Sequence, residues 1–533
     1  MNQIEIKKRQ MQLIAWGLGL IVLLVLANLL GDNGIAYVAV SIELFMLFWT
    51  VTGGELADVL GKLLRNKVNK GQYKNAKKLR RTTLVVEGFI GIVGSVVLFV
   101  LAKPLGEGLF GVSYSVAIIR ILAPVVFVRT LSSVLLGYFQ GEGTELPAVI
   151  SYLVRQVSIF GFSLLFVNLL KGYGGKVSDL LRQENFTAMY GGMGVAIAVL
   201  VTELLIVIFL FFVYRGSRRR ERRGNGEGMR TTDTFSGQLV LLYGNLFPAM
   251  LKTFLLYFAM WIGIIFYRKS VPDVTALNEY GVLYGKILPV LGLVILPGCV
   301  MLMECAHKIV ACVRREEQRY AKGHFQGGIH VAMVYGMFST VFIALHAPQI
   351  AGIFCKTGVE TATNMFRFGS FAVLAIVLGY YFTEILNAIG GRYYVLGLLA
   401  AFNLVYAGCL VLFLNGGKAG VMALVYSAMI AGTVYVIGAF VVLFFQLRYN
   451  IDWLQTLAVP AGLSCAVGLI LLFLNKIMHP HLGDLITVIV SLVVGNVLYW
   501  VFLMFMRNFR EQELAYTPCG RFIRGIGQML RIY

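Results

Sequence analysis

Along the chain, apolar residues gather in runs of roughly 18 to 28, separated by short polar or charged stretches. About 20 apolar residues are needed to carry a helix through a bilayer, where every backbone amide must bond within its own segment. About fourteen runs meet that length, at approximately 11–31, 35–60, 83–103, 112–139, 146–170, 188–214, 237–267, 276–306, 325–346, 366–389, 393–415, 419–446, 455–475 and 484–506. The pattern therefore predicts an all-α polytopic membrane protein. The first run follows Lys7, Lys8 and Arg9. It exceeds the apolar region of a secretory signal and leads through Gly31-Asp32-Asn33-Gly34 into a second run with no A-x-A cleavage site, so it is expected to stay as a span.

Composition supports the same class. With 58% hydrophobic residues, 14% charged residues and a mean hydropathy of +0.79, the 533 residues cannot be enclosed in a soluble core. The net charge of +20 raises nucleic acid as a partner, but its distribution argues otherwise. With the N-terminus inside and sides alternating, about 31 Lys/Arg fall on the cytoplasmic side and about 9 outside, as the positive-inside rule requires. Both termini are thus expected to be cytoplasmic. The basic segments 62–81, 215–230 and 308–322, and the tail with Arg507, Arg510, Arg521, Arg524 and Arg531, are expected to lie against anionic headgroups. The seven cysteines form no C-x-x-C pair, so neither a disulfide framework, a metal site nor a cofactor is expected.

An internal repeat organises the spans. Setting FQGEGTELPAVIS beside LNAIGGRYYVLGL brings Gln140 to Asn387, Gly143 to Gly390 and Glu145 to Arg392, all at one offset of 247 residues. A looser match sets Glu55 near Glu304. Six spans separate the paired segments, and an even number gives both units the same orientation. The expected organisation is a six-helix lobe at 1–214, a basic linker at 215–235, a second six-helix lobe at 236–447, two further helices within 448–506 and an amphipathic cytoplasmic tail at 507–533. Lobes of this kind rock about a site near mid-membrane, as in secondary transporters.

The FQG-x-G-x-x-x-P-x-x-I-S run at 139–151, the loop NKGQYKNAKKLRR and the six-plus-six-plus-two plan resemble the multidrug/oligosaccharidyl-lipid/polysaccharide exporter superfamily. The resemblance is to its polysaccharide-flippase, sporulation stage V protein B and lipid II flippase branch. It implies a V-shaped alternating-access transporter like the drug-exporting MATE relatives, located in a bacterial cytoplasmic membrane. The implied cargo is an undecaprenyl-pyrophosphate-linked sugar, with the two extra helices serving the lipid tail. Two features depart from the family. The first span carries neither the cavity arginines of lipid II flippases nor the cation-binding carboxylate of the drug antiporters.

Charges inside spans are costly and need a partner, water or a ligand. The cations are Arg120, Arg129, Arg155, Lys252 and Lys286; the carboxylates are Glu43, Glu203 and Glu384, with Glu87 and Glu304 nearer the inner surface. Lys252 and Lys286 are expected to line the cavity, since both fall near mid-depth and neither span has a carboxylate at that level; pairing with Glu203 is the structural alternative. Lys252 shares a helical face with Asn245 and Pro248. Two roles stay open for Arg155, a brace to Glu384 or Glu87 and a wall of the cavity's cytoplasmic half, where its planar fork suits phosphate oxygens. Arg120 and Arg129 are further candidate substrate-binding cavity cations, and for Arg120 a structural ion pair with Glu43 at similar depth is the alternative. Arg129 lies nine residues from Arg120, half a turn out of phase unless Pro124 kinks the helix. Glu43, Glu203 and Glu384 are candidate coupling or structural carboxylates.

The expected function is flipping of a lipid-linked anionic glycan by a monomer embedded in membrane lipid, with polysaccharide-assembly enzymes as the protein partners to look for and no nucleic acid. The alternative in the same fold is a cation-coupled antiporter of drugs or metabolites, which calls for net acidic cavity residues. External loops of about 20 residues or fewer without D-x-D or H-E-x-x-H argue against an enzyme and give no catalytic residue. Neither filter repeats nor charged rings of an ion channel are present.

Overall fold

The computed structural model describes residues 3–183, 185–224, 233–271, 274–355, 358–416, 419–447 and 452–508. Most of the basic tail and the centre of the 215–235 linker lie outside the described residues. Among those described there are helices and no strand, as the apolar runs require of a chain that must satisfy its backbone within lipid.

Twelve continuous helical stretches among the described residues are long and apolar enough to cross a membrane. Two are too long for one crossing: Gln10–Asn69 has 60 residues and Leu454–Phe505 has 52, whereas about 20 suffice. Each contains one glycine with non-helical dihedrals, Gly31 (φ 77°, ψ 170°) and Gly483 (φ 70°, ψ 172°). Only glycine enters that region without strain. The two breaks fall at the polar interruptions that separate the first span from the second and the thirteenth from the fourteenth in the sequence, and so reconcile twelve stretches with about fourteen crossings. At the first break, the Lys171 ammonium donates to the Leu29 carbonyl at 2.7 Å, supplying a partner where the helical ladder stops.

The chain forms two compact units, Lys7–Gly285 and Lys286–Tyr533, the latter joined by Met1–Ile6. The first holds α1 (Gln3–Trp49), a π-helical turn at Thr50–Gly54, α2 (Leu56–Asn69), α3 (Tyr73–Lys103), α4 (Ser115–Gly141), α5 (Leu146–Leu181), α6 (Asn185–Gly224), α7 (Phe235–Ser270) and α8 (Val274–Val282). The second holds α9 (Leu288–Arg314), α10 (Gln318–Phe354), α11 (Val359–Gly369), α12 (Phe371–Ala388), α13 (Arg392–Asn415), α14 (Met422–Leu447) and α15 (Val459–Phe505). In it, α10 packs against α9, α12 and α15, and α14 against α12 and α13.

The unit boundary differs from the linker at 215–235 expected from sequence. Leu242 and Leu246 of α7 are buried in one cluster with Leu56, Leu60, Leu64, Leu79 and Val134. This apolar contact ties α7 to α2, α3 and α4. Beside it, Lys67 of α2 hydrogen-bonds the Asp233 carboxylate and Lys78 of α3 donates to the Asp233 carbonyl at 2.6 Å. Where the chain enters α7 it is therefore held by α2 and α3.

Backbone conformation marks the repeat. Gly143 and Gly390 both take positive φ, 77° and 90°, and so do Gly111 and Gly358, 62° and 63°. Both pairs are 247 residues apart. The first two glycines turn the chain from α4 into α5 and from α12 into α13; the second two precede α4 and α11.

The FQG motif is a packing device. A Cβ on Gly141 would stand 2.5 Å from Leu64 Cβ, and one on Gly61 would stand 2.8 Å from Gln140 Cβ. Glycine at both positions lets α2 and α4 approach closely. Arg65 locks the contact, donating to the Gln140 carbonyl and to Glu145 Oε1, each at 2.8 Å.

Candidate functional site

Helices α5 and α6 form a hairpin whose register is set by small residues. Ser178 bonds Thr187 at 2.8 Å, a Cβ on Gly174 would meet Tyr190 Cβ at 2.8 Å, and one on Gly194 would stand 2.8 Å from the Phe166 and Val167 backbone. Continued inward, the same antiparallel register sets Arg155 beside Glu203. Arg155 Nε donates to Glu203 Oε1 at 2.8 Å and its Nη2 to Oε2 at 3.2 Å, a bidentate pair with Glu203 1% exposed. Arg155 thus pairs with neither Glu384 nor Glu87. Glu87 is buried and accepts from the Tyr243 hydroxyl at 2.8 Å, and Glu384 lies on α12 in the second unit. A partner on the adjacent helix wins because the hairpin fixes it there without a long-range fold constraint.

Arg129 of α4 joins this pair from the other side. Its Nε is 3.5 Å from Glu203 Oε1, and its guanidinium lies 4.1 Å from the centre of the Trp49 ring and 5.7 Å from that of Phe45. Its side chain retains 17% exposure. Two guanidinium groups therefore share one carboxylate and leave a net positive centre. The next residue, Thr130, donates to the Val126 carbonyl at 2.8 Å and lies 3.3 Å from the Thr52 hydroxyl. It ties α4 to the π-helical turn that follows Trp49. Such widened turns are frequent at functional sites.

Lys252 of α7 lies 3.9 Å from Glu55 at the end of that turn, with the side chains 30% and 23% exposed. Thr253 also donates to Glu55. The expected alternative partner of Lys252, Glu203, is taken by the arginines. Asn245 is exposed and donates to the Leu241 carbonyl at 2.8 Å. Lys286 is buried in the π-helical turn Leu283–Ile287 and falls in the second unit.

The alternative Arg120–Glu43 pair does not form. Arg120 is exposed and lies 5.7 Å from the Phe99 ring centre. Glu43 is buried, accepts from the Tyr280 hydroxyl, and offers its carbonyl to Trp261 Nε1 at 3.3 Å. Helix α4 continues through Pro124, so Arg120 and Arg129 keep opposite faces, one exposed and one enclosed. Sequence reasoning did not single out Trp49, Glu55 or Thr253 for the site. Glu55 carried a signal as the residue matched to Glu304 in the repeat; Trp49 and Thr253 carried none, since an aromatic or a hydroxyl in a span is ordinarily a packing residue.

The fold and the intramembrane charges define a multi-pass helical membrane protein. The sequence profile described as "Polysaccharide biosynthesis protein" matches residues 10–257. Stage V sporulation protein B of Bacillus subtilis (strain 168) is 22% identical over 356 residues, covering 64% of this chain and 65% of that protein. Among solved structures, lipid II flippase MurJ in an inward closed conformation aligns with a TM-score of 0.62 at 12% identity, covering 93% of this chain and 98% of that one. An inward-facing multidrug resistance MATE transporter aligns at 0.58 with 15% identity, covering 80% and 94%. These likenesses agree with the resemblance to the multidrug/oligosaccharidyl-lipid/polysaccharide exporter superfamily that the FQG run and the span plan carry.

Proposed function

We propose that the protein flips a pyrophosphate-linked glycan lipid, a cell-wall or polysaccharide precursor, across the cytoplasmic membrane by alternating access. The observation that carries this reading is the Arg129–Arg155–Glu203 group: two guanidinium groups on one buried carboxylate, within spans, leave a positive centre suited to phosphate oxygens. In the same unit Lys252 adds a cation and Asn245 a polar group on α7; in the second unit Lys286 is a separate candidate cation. The sugar rides in water while the prenyl tail stays in lipid. Sequence similarity to the lipid II flippase MurJ of Bacillus subtilis (strain 168), 23% identical over 187 residues, supports a lipid-linked cargo.

One observation favours the second reading, a cation-coupled antiporter. Glu43 is buried with no ion pair among the described residues, and its Oε2 has no hydrogen-bond partner, as a cation-binding carboxyl would be placed. The test reconstitutes the full chain in proteoliposomes and compares movement of a fluorescent undecaprenyl-pyrophosphate sugar with export of a cationic dye under a proton or sodium gradient. Lipid flipping without dye export is expected. Dye export without lipid flipping overturns the flippase reading and establishes the antiporter.

A further inference from the structure

The two arginines at Glu203 are not equivalent. Arg155 is enclosed and engages both carboxylate oxygens. Arg129 approaches the same carboxylate only through Nε, at 3.5 Å, and among the described residues its guanidinium donates no hydrogen bond. Its terminal N–H groups remain unused on a side chain that is 17% exposed. They lie over the Trp49 ring, whose π face holds the guanidinium in place without consuming its donors. Trp49 brings a second unused donor, because its Nε1 is buried and has no acceptor. A positive centre with spare donors on two adjacent side chains suits an anion with several acceptor oxygens.

Resting on the flippase reading, we propose that Arg129 and Trp49 form the docking point for one phosphoryl group of a lipid, while Glu203 reserves Arg155 as a brace between α5 and α6. Arg129 supplies the planar donor edge that matches phosphate oxygens. Trp49 fixes that edge from α1, so the docking point spans α1 and α4 and its occupancy bears on the π-helical turn directly after Trp49. Arg155 is the poorer candidate, since it is already held in bidentate fashion by Glu203 and its side chain is only 9% exposed. The phosphoryl group has two sources in a membrane, the pyrophosphate of a polyprenyl carrier and the headgroup of an ordinary anionic phospholipid.

The test uses the full chain in phosphatidylcholine nanodiscs, titrated with undecaprenyl pyrophosphate and followed by tryptophan fluorescence. A saturable change is expected, with most of its amplitude lost in Trp49→Phe. Arg129→Gln should weaken apparent affinity about tenfold or more, and Arg129→Lys should recover part of it, since a lysine restores charge without the fork. Arg155→Lys should instead lower the thermal midpoint and leave affinity within about twofold. Folded Arg129→Gln with wild-type affinity, or Arg155→Lys that loses binding while keeping its midpoint, overturns the proposal. A second arm adds phosphatidylglycerol: competition by it assigns the docking point to phospholipid headgroups, and lack of competition assigns it to the polyprenyl carrier, with Arg129-dependence supporting the site in both. Absence of flipping with Arg129-dependent binding retained removes the transport reading alone. Flipping with binding insensitive to Arg129 removes the docking point alone.

Discussion

At Glu203 a buried carboxylate faces two guanidinium groups, and removing either sign of charge has unequal consequences. Glu203→Gln leaves Arg155 enclosed without its counter-charge, a change that costs about 3–5 kcal/mol at buried pairs. The expected outcome is a clearly lowered thermal unfolding midpoint in detergent; a midpoint equal to wild type contradicts the brace. Arg129→Gln should be much milder in the same measurement, because the Arg129 head is partly exposed and bonded to nothing that its loss would strand. That charges stand inside the spans was legible in the sequence, since any Lys, Arg or Glu within an apolar run is conspicuous. Their partners were not. Arg155 meets Glu203 because of a helix register, and Arg120 misses Glu43 because Tyr280, distant in sequence, reaches that carboxylate first.

The elements themselves rest on glycines in two distinct ways. Gly194 gives up its side chain so that α6 can touch the α5 backbone, and a Cβ there would stand 2.8 Å from Phe166 carbonyl atoms. Gly194→Ala should therefore destabilise the chain by about 1–3 kcal/mol through overpacking. Gly161, on α5 with open space around it, is the control: Gly161→Ala should leave stability unchanged or raise it by up to about 1 kcal/mol. Thermal midpoints of the two variants in parallel decide the point, and equal midpoints contradict the hairpin packing. Gly143 and Gly390 act through conformation instead, at φ 77° and 90° with nothing near their missing Cβ. Alanine at either should lower the midpoint through backbone strain alone, by about 1–2 kcal/mol. The offset of 247 residues made the paired turns readable from sequence. The breaks at Gly31 and Gly483 were readable as polar interruptions, but the π-helical turns at Thr50–Gly54 and Leu283–Ile287 were not, because no residue type specifies them.

On the scale of the whole molecule, composition sufficed for the class: 58% hydrophobic residues in repeated runs leave a polytopic helical membrane protein as the physically tenable answer. The grouping of helices was less legible. A basic linker reads as a boundary, yet Leu242 and Leu246 bind α7 into the first unit, and the units part instead at Gly285 and Lys286. Hydropathy reports that a face is apolar and says nothing of which neighbour covers it. The proposed cargo follows from charge at the centre of the first unit, and so does its most direct test. Flipping of a fluorescent undecaprenyl-pyrophosphate sugar is measured in proteoliposomes holding equal amounts of folded wild-type or Lys252→Ala protein, against protein-free liposomes. Flipping by wild type well above the protein-free rate is expected, with a loss of about tenfold in the variant, as removal of a charge-assisted contact to a phosphorylated headgroup implies. Wild-type liposomes that flip no faster than protein-free ones would contradict the flippase reading.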